Sequence, residues 1–156
     1  MDYSFFDFLT LLGSLGLFLY GMKVMSDALM ELAGDRMRNI LATATSNRLF
    51  AVLTGFIITA VIQSSSATTL MVVSFANASL LSLTESIGVI MGANNGTTVT
   101  AWLIALLGFK VNMAAIAIPL VGLGFLLSFS KQRNLRHWGF FIVGFAILFV
   151  GLQYLK

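Results

Sequence analysis

The sequence predicts an all-α integral membrane protein with about four transmembrane helices, one re-entrant helical hairpin and one helix unwound at mid-membrane. Three observations predict it. Hydrophobic residues make up 58% of the chain and charged residues only 10%, which excludes an ordinary soluble domain. Several apolar runs reach the roughly 20 residues that a helix needs to cross a ~30 Å hydrocarbon core. Two packets of uncharged polar residues interrupt those runs, Gln63-Ser64-Ser65-Ser66-Ala67-Thr68-Thr69 and Gly92-Ala93-Asn94-Asn95-Gly96-Thr97-Thr98-Val99-Thr100. Lipid offers polar groups no partner. Such packets therefore mark breaks that face a cavity or a ligand, the recurring build of an ion or solute site at membrane mid-depth.

The first span runs from about Phe8 to Met30. Gly13, Gly16 and Gly21 within it suit close helix approach, and Lys23 reads as a snorkelling side chain. The opening Met1–Asp7 is acidic and lacks the basic region of a cleaved signal peptide, so the span is expected to stay as an anchor. A polar connector follows from Glu31 to Arg48, with a short interfacial helix at Arg36–Leu41 and Ser46 or Asn47 as the next N-cap.

The stretch Leu49–Leu80 would make a helix of about 48 Å, too long for one straight span. Split at Gln63–Ser66, each arm is about 22 Å, too short to cross. A re-entrant hairpin over about 49–80 fits both lengths. Ser82-Leu83-Thr84-Glu85 has capping-box spacing and starts a new helix. The broken helix, about 86–107, carries the second packet. Gly88, Gly92 and Gly96 allow two readings, a continuous helix with a small-residue packing face or a span unwound at Asn94 and Asn95; beside the serine packet, the unwound form is favoured.

Gly108-Phe109-Lys110 reads as a tight turn, Val111–Phe129 as the fourth span with a kink expected at Pro119, and Ser130–His137 as a second basic loop. The fifth span is Trp138–Tyr154, bounded by interfacial aromatics. With a hairpin at 49–80, Lys23, Arg36, Arg38, Arg48, Lys131, Arg133 and Arg136 share one side and only Lys110 and Lys156 lie opposite. That asymmetry favours the hairpin over a spanning helix and places both termini outside. The whole chain, 1–156, is read as a single membrane domain of a multi-pass protein of the cell (inner) membrane.

The chemistry excludes as much as it includes. Cysteine is absent, so thiolate metal sites and cysteine nucleophiles are out. The basic residues are few and sit beside apolar spans, which is positive-inside patterning rather than a nucleic-acid surface. No glycine-rich loop ends in Lys-Ser/Thr, and the one histidine lies in a loop, so no serine nucleophile is activated. An enzyme is not expected. Hydroxyl and carbonyl oxygens suit an alkali cation, while serine hydroxyls and the N–H groups of a broken helix suit an oxyanion. With no buried cation, an oxyanion entering alone is costly, and sodium entering with it lowers that cost. For Gln63–Thr69 the competing reading is a packed helix whose Ser and Thr hydroxyls bond back to their own i−4 carbonyls.

The two packets resemble the signature motifs of the type II sodium–phosphate cotransporter family, the serine packet its hairpin motif and Gly92–Thr98 its glycine–asparagine–threonine motif. Asn95 departs from that pattern, where an aliphatic residue is usual. The resemblance implies phosphate as substrate and sodium as coupling ion, with no other cofactor. Gln63, Ser64, Ser65, Ser66, Thr68, Asn94, Thr97 and Thr98 would line the substrate site, and Gln63, Ser66, Asn94 and Asn95 the sodium. Family members carry two inverted repeats; this sequence shows one copy of each motif, a single-repeat, half-length member, so either two copies assemble as a homo-oligomer, such as a dimer, or a separate second half completes the site. The alternatives are a non-transporting or channel-like protein on the same scaffold, or a carrier of another oxyanion.

Overall fold

The computed structural model describes residues 5–43, 47–108 and 113–155. Ser46, Phe109, Lys110 and Lys156, which figure in the expectations above, lie outside them. The described residues are mostly helical, with no strand among them: α1 (Phe5–Thr43), α2 (Arg48–Ile62), α3 (Ser65–Asn77), α4 (Leu83–Gly96), α5 (Thr98–Leu103), a π-helical turn (Ile104–Gly108), α6 (Met113–Ser128) and α7 (Arg133–Tyr154). Among them α1 and α7 are long and apolar enough to cross a membrane. At 15 and 16 residues, α2 and α6 reach only about 22–24 Å.

The chain divides into two compact units, one from residues 1–28 and 104–156, the other from 29–103. In the first, α7 packs on α6 and on the N-terminal part of α1 through glycines. A Cβ on Gly124 would lie 2.8 Å from the Gly139 carbonyl oxygen, and one on Gly21 would lie 2.7 Å from that of Gly144. Side chains at these crossings would hold the backbones apart. Gly13 and Gly16, expected to serve the same purpose, face open space. The basic residues from Arg133 to His137, read as a loop, form the first turns of α7.

The second unit holds a core of Leu41, Ala51, Ile58, Ile62, Ala67, Met71, Val72, Leu81 and Val89. The connector from Glu31 is not a separate interfacial helix. It continues α1 to Thr43, because Leu41 joins this core and Met30 and Met37 pack against it while Arg36 and Arg38 stay exposed. Lys23, in the first unit, pairs with Asp27 at 2.5 Å, both well exposed, as a surface lysine does.

Backbone groups at the element ends are closed by local bonds. Asn47 caps α2, its side chain accepting from Leu49 N at 3.2 Å. The end of α3 is a Schellman motif: Leu80 N–H donates to Phe75 O at 2.9 Å, Ser79 N–H to Ala76 O at 3.0 Å, and Ser79 takes φ 58°. The capping box at α4 is complete. Ser82 N–H and hydroxyl both donate to Glu85 Oε2 at 2.7 Å, and Glu85 N–H returns to Ser82 Oγ. These bonds from Ser82 hold the Glu85 carboxyl below the usual carboxylate range.

The second polar packet corrects one expectation. Asn94 and Asn95 do not unwind: α4 is helical through Gly96. The irregularity falls later, at Thr97 between α4 and α5 and at the π-helical turn. The glycines explain the difference. Gly92 lies against Val52 and Phe56 of α2, Gly55 of α2 lies against Val89, and a Cβ on Gly96 would meet the Phe56 carbonyl oxygen at 2.7 Å. Their missing side chains are used for close helix contact, and no described glycine has positive φ.

Candidate functional site

The serine packet is where α2 ends and α3 begins. Residues 49–80 do not form one rod, because the helix breaks at Gln63 and Ser64. Gln63 stands in the left-handed region at φ 59°, ψ 25°, its N–H still donating to Thr59 O at 2.7 Å. Non-glycine residues are uncommon there, and strained backbone of this kind collects at sites where the surroundings enforce it. Ser64 is extended and caps α3, its Oγ accepting from Ala67 N–H at 3.2 Å.

Two hydrogen bonds tie this break to the rest of its unit. Thr59 Oγ1 donates to Thr68 Oγ1 at 2.9 Å across the turn, joining α2 to α3. Both threonines are almost fully buried, at 1% and 0% exposure. Thr68 Oγ1 in turn donates to Ser64 O at 3.1 Å. Thr100 Oγ1 donates to Gln63 Oε1 at 2.5 Å, joining the two polar packets. The Gln63 amide nitrogen donates to Ala60 O, also at 2.5 Å.

The first turn of α3 points to what can bind. The N–H groups of Ser65 and Ser66 have no intrahelical partner, as at every helix start, and the aligned peptide dipoles favour negative charge there. Ser65 is half-buried and Ser66 exposed. From Leu49 to Gly108 the only charged residue is Glu85, so within that stretch an anion at this end of α3 would meet dipoles and hydroxyls but no basic side chain.

The remaining expected residues are less gathered. Asn94 and Asn95 are exposed on α4, and no hydrogen bond of the described residues links them, or Ser66, to the Gln63–Thr100 pair. Thr97 Oγ1 bonds back to Ala93 O at 3.3 Å and Thr98 Oγ1 to Asn95 O at 2.7 Å, so these two hydroxyls are engaged by their own chain's carbonyls. Gly96 brings that end of α4 beside the site, where its Cβ would lie 2.8 Å from Thr59 Cβ. Two participants were not singled out by sequence reasoning. Thr59 lies four residues before Gln63 in an apolar flank, and Thr100 closes the second packet. The only sequence signal of Thr59 is a hydroxyl in an otherwise apolar neighbourhood, and Thr100 is one of three threonine hydroxyls in its packet.

A cavity of about 390 Å³ lies along α3, lined by Arg38, Leu70, Met71, Ser74, Phe75 and Leu80 among others. Ser64, Ser65 and Ser66 of the break do not line it, so the polar chemistry rather than this cavity marks the site. No group of three or more His, Cys, Asp or Glu side chains among the described residues could hold a metal ion. The oxygens present, from hydroxyl, amide and backbone carbonyl, are of the kind that take alkali cations.

Comparisons with known proteins agree with this chemistry. The model of the Na+/Pi-cotransporter family matches residues 17–156. The Salmonella typhimurium protein YjbB, whose name assigns it to inorganic phosphate export, is 29% identical over 145 residues, 93% of this chain and 26% of its own. Human sodium-dependent phosphate transport protein 2B is 35% identical over 99 residues, 62% of this chain and 14% of its own. Bacillus subtilis YqeW is 32% identical over 132 residues, 85% of this chain and 41% of its own. The chain spans about a quarter of the length of YjbB. No solved structure matches it significantly.

Proposed function

The chain belongs to the Na+/Pi-cotransporter family, and on that premise we propose that it carries inorganic phosphate across the cell (inner) membrane in symport with sodium. The observation that carries the proposal is the break at Gln63–Ser64. A left-handed glutamine and a capped helix start expose the first-turn N–H groups of Ser65 and Ser66, beside buried hydroxyls. Phosphate binds at that helix start, bonded by those N–H groups and by the Ser65 and Ser66 hydroxyls. Because no residue from Leu49 to Gly108 is basic, neither the hairpin nor the second packet offsets the phosphate charge, and sodium supplies the compensating charge. Oxygens of Gln63, Ser66, Asn94 and Asn95 receive the sodium, and Thr97 and Thr98 close the site.

In this reading α2 and α3 form a hairpin that enters the membrane and returns. Each arm is too short to cross, and the turn puts the polar packet at mid-depth. Residues 1–156 act as one membrane domain, a single transporter repeat, and a second copy in a homo-oligomer supplies the opposing wall of the site. The names of relatives point to phosphate movement, that of YjbB to export and that of protein 2B to sodium-dependent transport. The direction of net flow then follows the gradients imposed.

The test is uptake of radiolabelled phosphate into proteoliposomes under a sodium gradient. Uptake that needs sodium and falls with Ser65→Ala and Asn94→Ala supports the proposal. Uptake indifferent to both substitutions removes those residues from the site. Sodium-independent passive flux favours a channel-like protein on the same scaffold, and competition by another oxyanion would change the cargo.

A further inference from the structure

The Gln63 side chain has a fixed orientation, and its cause is outside the serine packet. Its two amide ends are chemically distinct: the nitrogen can only donate and the oxygen only accept. The Ala60 carbonyl also can only accept, so the nitrogen end must face it, as it does at 2.5 Å. The oxygen is then turned to Thr100, whose hydroxyl donates to it at 2.5 Å. Thr100 lies 37 residues further along the chain, on α5, and is half-buried. One N–H of the amide and one oxygen lone pair remain free of these two bonds.

The placement of Gln63 gives that orientation a consequence. It immediately precedes Ser64, the N-cap of α3, and so adjoins in the chain the helix end where an anion is proposed to bind. An amide held only through its nitrogen at Ala60 O would still swing about that one bond, bringing its oxygen, a partial negative charge, toward the anion. One held by Thr100 keeps the oxygen engaged and leaves a donor available. We propose that Thr100 is a positioning residue for phosphate: by binding the Gln63 oxygen it fixes the amide with its donor end available to the anion. This rests on the phosphate-carrier reading above and adds to it a residue of the second packet that acts only through Gln63.

The experiment pairs transport kinetics with a direct view of the side chain. Thr100→Val keeps the shape and removes the hydroxyl, while Thr100→Ser keeps the hydroxyl. In proteoliposomes Thr100→Val raises the KM for phosphate about tenfold, the scale of one orienting hydrogen bond, with the maximal rate within about twofold, and Thr100→Ser restores the KM. In detergent micelles, selective ¹⁵N labelling of glutamine gives side-chain signals from only Gln63, Gln132 and Gln153, and Gln63→Asn assigns the relevant pair. That pair is shifted from the free-amide position in the wild type and in Thr100→Ser, and moves toward it in Thr100→Val, where the bond to Ala60 O alone remains. If Thr100→Val loses its helical circular dichroism, Thr100→Ala makes the same comparison. An unchanged KM, or an unchanged Gln63 amide pair, overturns the proposal. A wild-type protein that moves no phosphate overturns the carrier reading instead, and the amide signals still decide whether Thr100 holds Gln63.

Discussion

Gln63 and Thr100, 37 residues apart, share a 2.5 Å hydrogen bond that joins the two polar packets into one network. Gln63 also carries the left-handed backbone that ends α2. One residue thus makes both the turn and the contact between packets, and substitutions can separate the two roles.

Gln63→Gly and Gln63→Ala both remove the amide, but only glycine relieves the positive φ. The left-handed conformation costs an L-residue about 1–2 kcal/mol relative to glycine. Gln63→Gly should therefore be more stable than Gln63→Ala by about 1 kcal/mol, read by chemical or thermal unfolding in detergent. Phosphate uptake should be strongly reduced in both. If glycine and alanine are equally stable, the backbone at 63 is not strained as described.

Part of this arrangement is legible in the sequence, and the reason is physical. Five hydroxyls and an amide in seven residues cannot all bond back onto one helix in an apolar setting, which located the break at Gln63–Ser64. The capping box at Ser82–Glu85 is likewise a local pattern with a local bond. The second packet was misplaced because Gly92 and Gly96 can serve either backbone freedom or close packing, and only the presence of Val52 and Phe56 opposite decides between them. The length of α1 was hidden because its charged C-terminal part reads as surface until Leu41 is seen inside a core. Thr59 and Thr100 were missed because a single threonine acquires meaning only from its partner across the fold.

The glycine contacts make a graded prediction. A Cβ on Gly92 would overlap the Val52 backbone and one on Gly55 the Val89 backbone, whereas Gly13 faces open space. Gly92→Ala and Gly55→Ala should each destabilise by about 1–3 kcal/mol or more, since backbone must move. Gly13→Ala should be neutral or stabilising by up to about 1 kcal/mol. Thermal unfolding of the three variants checks the order, and a Gly92→Ala protein as stable as Gly13→Ala would contradict the α2–α4 contact.

The Thr59–Thr68 pair should behave as a unit. Thr59→Val removes the donor to Thr68, and Thr68→Val leaves the buried Thr59 hydroxyl to find another acceptor. Each change should cost about 1–2 kcal/mol, because a buried polar group loses its partner. The double variant should cost less than the two added together, by about 0.5 kcal/mol or more, as expected of residues in one network. Strict additivity in an unfolding cycle would show that the two hydroxyls are independent.

The start of α4 gives a pH-dependent prediction. Ser82→Ala removes the cap and should cost about 1 kcal/mol. The Glu85 carboxyl, bonded by the Ser82 hydroxyl and N–H, is held below its ordinary range, so the fold favours its ionised form. Its contribution is complete above the carboxylate range of the unfolded chain and is lost as pH falls through the lower folded value. Melting temperatures measured from neutral pH downward should show the wild type losing an advantage over Glu85→Gln below about pH 4. Because glutamine at 85 can still accept from Ser82 but does not titrate there, a constant difference between the two proteins across that range would mean that the Glu85 charge contributes nothing to the start of α4.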